Sequence, residues 1–228
     1  MQEYKQTGIG CCATLTYAQT DGNLHRRDIQ LFIKRLRKYI EPQKVRYFYA
    51  GEYGGKNNRP HYHIMLFGWR PDDLREHCRT KRGNISYKSD LLTRLWKHGF
   101  VDVGDINPYT ARYCARYLQK LDRRPHDVPS FIGMSMKPGI GAGAVSPEYL
   151  ATDGIYIDGK RYSIPRYYVR YLEKQGYNIE MVTLRRKAIA KAIDPTKKDG
   201  VFDVAAIQKL HEQNEISNRE LNRIDISK

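Results

Sequence analysis

The stretch Gly51-Glu52-Tyr53-Gly54-Gly55-Lys56-Asn57-Asn58-Arg59-Pro60-His61-Tyr62-His63-Ile64-Met65-Leu66-Phe67 decides how this chain is read. Residues 45–52 are rich in β-branched and aromatic side chains and read as a strand, as do residues 61–67. The Gly/Asn/Pro segment between them reads as the turn of a hairpin. Alternate residues of a strand share a face, so His61 and His63 stand side by side while Tyr62, Ile64 and Leu66 point the other way. Antiparallel pairing brings Glu52 opposite the histidines, where cross-strand Cβ atoms lie about 4.5–5.5 Å apart. One hairpin can therefore offer three metal ligands, Glu52, His61 and His63.

Outside the hairpin, composition narrows the classes. The 228 residues carry 40 Lys+Arg against 25 Asp+Glu, a formal charge of +15 that favours a polyanionic partner, nucleic acid first. A hydrophobic fraction of 40% with 18 tyrosines supports a packed core. No run of about 18 apolar residues is present to span a bilayer and no signal-peptide pattern opens the sequence, so the expected setting is a cytosol, without a membrane partner. Cys11, Cys12, Cys78 and Cys114 form no CxxC pair, which favours reduced thiols over zinc ligation.

Strand and helix signals alternate along the chain. Residues 11–17 read as a strand ending before the turn Thr20-Asp21-Gly22-Asn23. Between 24 and 40, Ile29, Phe32, Ile33, Leu36 and Ile40 recur at helical spacing among basic residues. After the hairpin come a charged loop, a helix over residues 89–98 ended by Gly99 as C-cap, and a short strand at 100–103. Asn107-Pro108 starts a helix running to about residue 121. Its Tyr109, Tyr113 and Tyr117 fall on one face at a spacing of four, with Lys120 beside them. Such a stripe is ordinarily packed on a sheet. Near a metal, a phenolic oxygen can instead attack a phosphodiester and retain the cut end as a phosphotyrosine.

Taken together, Thr14-Leu15-Thr16-Tyr17, Gly51-Glu52-Tyr53-Gly54, Arg59-Pro60-His61-Tyr62-His63 and Tyr113-x3-Tyr117-x2-Lys120 resemble the replication initiators of microviruses, small single-stranded DNA bacteriophages of the HUH endonuclease superfamily. Leu95-Trp96-Lys97-His98-Gly99, Met134-Ser135-Met136-Lys137-Pro138-Gly139-Ile140-Gly141 and Pro165-Arg166-Tyr167-Tyr168 extend the likeness over residues 11–172. The resemblance implies an α+β fold, a central antiparallel sheet flanked by helices with a helical C-terminal tail. It also implies a rolling-circle initiator that nicks and rejoins single-stranded origin DNA through a 5′-phosphotyrosine, leaving a free 3′-hydroxyl. On this likeness His61 and His63 are the paired ligands and Glu52 the third. Tyr113 and Tyr117 are alternating nucleophiles, Lys120 the accompanying lysine, and Thr14 to Tyr17 a structural or DNA-contacting motif. Members usually carry a longer region before the first strand.

The ligand set suits Mn²⁺ by softness and Mg²⁺ by its place in phosphoryl chemistry. Thr16, Tyr17, Lys56, Arg59, Arg112 and Arg116 are the expected DNA contacts, while Tyr109 is assigned to packing or base stacking. Residues 1–125 read as the catalytic core, 126–178 as an appendage with a hairpin centred on Asp158-Gly159, and 179–228 as a charged helical tail broken at Asp194-Pro195. No ATP-binding loop is visible, so unwinding falls to a host helicase and extension to a host polymerase, in the cytoplasm of the bacterial host. Two other classes share parts of this pattern. Non-haem iron oxygenases use two histidines and a carboxylate, but have no use for the charge or the tyrosine-lysine helix. A non-catalytic single-strand binder would stack bases on Tyr47, Tyr49 and Phe67. A relaxase or single-tyrosine transposase would share the metal pair but not the second tyrosine.

Overall fold

Alternation along Gly10–Tyr17 sets the architecture. Cys11, Ala13, Leu15 and Tyr17 are buried, while Cys12, Thr14 and Thr16 between them are half-buried. The structure, a computed structural model, describes residues 1–55, 57–79, 83–116, 128–152, 154–157, 159–193, 197–198, 201–202 and 212–213. The chain forms two compact units, Met1–Ala144 and Val145–Lys228.

In the first unit a helix α1 (Gln2–Thr7) precedes β1 (Gly10–Tyr17), followed by α2 (Arg26–Tyr39), β2 (Arg46–Tyr53), β3 (Pro60–Phe67), β4 (Arg75–Arg79), β5 (Ile85–Lys88), α3 (Asp90–Trp96), β6 (Gly99–Gly104), α4 (Pro108–Arg116) and β7 (Phe131–Met134). The seven strands form one sheet in the order β4-β5-β6-β1-β3-β2-β7, with every pairing antiparallel. The α+β architecture expected from the sequence is the one observed.

Each face of the sheet has its own apolar cluster. Leu15, Tyr17, Tyr62, Ile64, Leu66, Val101 and Val103 close against Ile29, Phe32 and Leu36 of α2 and Leu92 and Trp96 of α3. On the opposite face Phe48, Met65 and Phe67 pack with Ile106 and Cys114, and with Tyr4 and Ala111 at the margin. A buried carboxylate secures α1: Glu3 Oε2 accepts from Gly141 N at 2.6 Å, and Oε1 lies 2.6 Å from Arg46 Nε.

Several elements depart from the sequence expectation. The charged loop before α3 is a hairpin, β4–β5; all five residues of β4 are exposed, so this edge hairpin has no apolar alternation to reveal it. Lys97, with φ 69°, ends α3 by donating to Thr93 O, and Gly99 begins β6. A Cβ on Gly99 would stand 2.5 Å from Thr16 O, so this glycine serves a close strand approach, not a helix cap. Residues expected to belong to an appendage supply β7, paired to β2.

The second unit contains the hairpin β8 (Ile155–Ile157) and β9 (Lys160–Tyr162), then α5 (Arg166–Lys174) and α6 (Glu180–Ile193). Ile155, Ile164, Tyr168, Val169, Leu172 and Val182 are buried in it. The hairpin was legible from Asp158-Gly159, whereas α5 was not anticipated. Val204, Ile207, Leu210 and Leu221, read as an apolar stripe, lie outside the described residues. Among the described residues, no helix is long and apolar enough to cross a membrane.

Candidate active site

Glu52 pairs with His61 across β2 and β3, and His63 pairs with Thr14 across β3 and β1. The donor atoms of the three expected ligands meet: His61 Nε2 lies 2.9 Å from Glu52 Oε1, His63 Nε2 lies 3.2 Å from the same oxygen, and the two Nε2 atoms are 3.1 Å apart. Among the described residues this is the one grouping of three or more His, Cys, Asp or Glu side chains able to hold a metal ion. Spacings near 3 Å are those of neighbouring ligands on an octahedral ion when each bond is about 2.0–2.2 Å, so the donor set fits a divalent cation.

Each imidazole is turned inward by a bond to its other nitrogen. His61 Nδ1 donates to Arg59 O at 3.0 Å, and His63 Nδ1 lies 3.1 Å from Thr14 Oγ1. Such partners fix ring orientation and leave Nε2 to the ion. Burial alone raises the Glu52 carboxyl, but hydrogen bonds from His61 and His63 together with their charge outweigh it and hold the group well below the usual carboxylate range. The carboxylate therefore remains ionised, as a ligand must.

The tyrosine helix crosses the same face. Asn107 caps α4, its Oδ1 accepting from Tyr109 N and Thr110 N at 2.9 Å while Thr110 Oγ1 accepts from Asn107 N. Cys114 and Ala111 form its packed side; Cys114 Sγ lies 4.0 Å from Cys12 Sγ on β1. Tyr113, half-buried, sets its ring edge-on to His63 with centroids 5.2 Å apart. Tyr109 is 79% exposed, which removes the packing role and leaves base stacking. Tyr117, Lys120 and Lys56 lie outside the described residues.

The expected DNA contacts divide. Thr16 is half-buried on the ligand face, opposite His61, and Arg112 is exposed on α4. Arg116 belongs to α4. Arg59 Nη2 donates to Tyr17 O at 2.6 Å and Ala18 O at 2.7 Å, which ties the hairpin turn to the end of β1. Tyr17 is a correction. Strand alternation puts it on the helix-covered face, 4% exposed, where its hydroxyl donates to Asp28 Oδ2 at 2.7 Å and meets Tyr62 Oη at 2.9 Å. It cannot reach DNA at the triad. The stacking platform of the binding-module reading is also absent: Tyr47 and Tyr49 pack into the helix-covered cluster and Phe67 into the other. The role of Thr14 on His63 was missed because it depends on the β1–β3 register, which no local signal encodes.

A sequence profile for the replication-associated protein ORF2 family matches residues 10–122, a span that contains Glu52, His61, His63 and Tyr113. The chain is 31% identical over 215 residues to the replication-associated protein VP4 of Bdellovibrio phage phiMH2K, covering 84% of this chain and 68% of that protein. The chain belongs to this replication-associated protein family. Another relative is the replication-associated protein ORF4 of Chlamydia phage 1, 33% identical over 170 residues, which are 68% of this chain and 43% of that one. A third, the replication-associated protein ORF2 of Spiroplasma virus 4, is 31% identical over 179 residues, 72% of this chain and 56% of that one. The chain thus spans about two thirds of the first relative and about half of the other two. No solved structure matches this family member. The likeness to microvirus initiators read from the motifs stands at the level of the family.

Proposed function

We propose that this chain initiates rolling-circle replication by nicking and rejoining single-stranded DNA at a phage origin. The observation that carries the reading is the placement of Tyr113 against His63, whose other edge belongs to the Glu52–His61–His63 cluster. A phosphate at that cluster lies beside a half-exposed phenol. The phenolic oxygen of Tyr113 attacks phosphorus, the bond from phosphorus to the 3′ oxygen breaks, and the product is a 5′-phosphotyrosine with a free 3′-hydroxyl. The phenol gives up its proton and the departing oxygen gains one. When bound, Mg²⁺ or Mn²⁺ supplies Lewis-acid polarisation of the scissile phosphate. Tyr117, four positions on, takes the alternate attack that releases the finished copy, and Lys120 stabilises developing charge.

Other phenols of the sheet are poor candidates. Burial pushes the Tyr62 hydroxyl up to about 12, and it lies on the helix-covered face. Thr16, Arg59, Arg112, Arg116 and Lys56 contribute DNA contacts in this reading, helped by the +15 charge. Strand separation and extension fall to a host helicase and polymerase in the bacterial cytoplasm.

The test is covalent capture. Incubated with Mn²⁺ and labelled single-stranded origin DNA, the parent chain gives an SDS-resistant adduct. Tyr113→Phe and Tyr117→Phe each retain one route, and the double variant gives none. Adduct formation by the double variant would place the nucleophile elsewhere and end this reading.

A further inference from the structure

Two of the three ligands belong to a row that crosses four strands. Glu52 pairs with His61, His61 with Thr16, and Thr16 with Phe100. Directly opposed residues project to the same face, so Phe100 shares the triad's face. At a strand spacing of about 4.7–4.9 Å, it stands two strands, about 9–10 Å, from His61. Thr16, short and half-buried, lies between them.

Phe100 is 59% exposed, whereas Val101 and Val103 on the opposite face of the same strand are each 1% exposed. The ring therefore adds little to either apolar cluster. A single exposed aromatic is ordinary on a protein surface. This one lies in line with the ligands, on the part of the face where Thr14, Thr16 and Asp102 are only half-buried. The Asp102 carboxylate accepts from Lys88 Nζ at 2.7 Å, so the acid nearest along this strand face carries its own counter-charge and does not repel a phosphate chain.

We propose that Phe100 is a base-stacking platform that holds a nucleobase next to the scissile phosphate of single-stranded DNA. This rests on the nuclease reading, since it is the phosphate at the triad that brings the base within reach. A benzyl ring offers its π-face to any base, so the platform aligns the strand without reading its sequence.

The test compares an oligo-dT strand with its abasic counterpart. The parent binds oligo-dT more tightly. Phe100→Ala loses about tenfold in affinity for oligo-dT and little for the abasic strand. Phe100→Trp restores the affinity, and DNA quenches its new indole emission; Trp69 and Trp96 are buried, so the quenching reports position 100. Unchanged oligo-dT affinity in Phe100→Ala, or an equal loss on both strands, overturns the platform. The Mn²⁺-dependent adduct is read on the same samples. Its presence with unchanged Phe100→Ala affinity removes the platform alone. Its absence removes the nuclease reading alone, and the dT-to-abasic ratio still decides the platform.

Discussion

On one face of the sheet, Leu15, Tyr62, Ile64 and Val101 close with Phe32, Leu36, Leu92 and Trp96 until almost nothing is exposed. On the other, the residues that alternate with them, Thr14, Thr16, His61, His63 and Phe100, keep half-open side chains around three converging ligand atoms. Both sets come from the same strands, one residue apart. The packed face fixes strand register, and register alone decides that Glu52 meets His61 and that Thr14 meets His63. Rigidity is supplied from one side and chemistry is carried on the other.

Two substitutions should separate the faces. Phe32→Ala removes a fully buried ring from the packed side and should cost about 3–5 kcal/mol of stability, read as a lowered urea midpoint. Mn²⁺ affinity of the fraction still folded should be unchanged; a matching loss would mean that the two faces are not separable. His63→Ala should do the reverse, lowering the cleavage rate about 10²–10³-fold while the midpoint moves little. If cleavage with added Mn²⁺ equals that of the parent, His63 is not a ligand.

The same contrast explains what was legible in the sequence. Alternation at 61–67 and 11–17 announced both strands and put His61 and His63 on one face, because each strand has a buried side to write the pattern. The hairpin β4–β5 has no buried side, so its residues looked like a charged loop. β7 is four residues long and its partner lies some eighty positions earlier, beyond any local signal. Tyr17 was misassigned for a related reason: it stands next to Thr16 in the motif but one step of the pleat turns it into the core. Motif membership gave the neighbourhood, and parity gave the face.

Thr14→Val sharpens the comparison within the open face. The exchange keeps shape and removes the hydroxyl 3.1 Å from His63 Nδ1, so the ring is no longer held with Nε2 toward Glu52. Loss of such a supporting bond typically lowers metal affinity about 10–100-fold. Mn²⁺ titration followed by electron paramagnetic resonance should show that loss in Thr14→Val and recovery in Thr14→Ser. Equal affinity in all three proteins would leave Thr14 as packing.

The smallest effect is expected where a polar network has been placed on the packed face. Tyr17 Oη donates to Asp28 Oδ2 and meets Tyr62 Oη, which in turn donates to His25 O and accepts from His25 N, joining β1 and β3 to the start of α2. Tyr17→Phe leaves the ring in place against Trp96 and deletes one hydroxyl. Asp28 is half-buried and can recruit water, so the cost should be about 1 kcal/mol in the urea midpoint, the usual net worth of a single hydrogen bond. Adduct formation should not change, because the hydroxyl lies on the face away from the triad. A variant with normal stability and lost adduct would mean that this phenol acts on DNA after all, and that the partition of the strands into a supporting face and a chemical one is not the organising feature of the site.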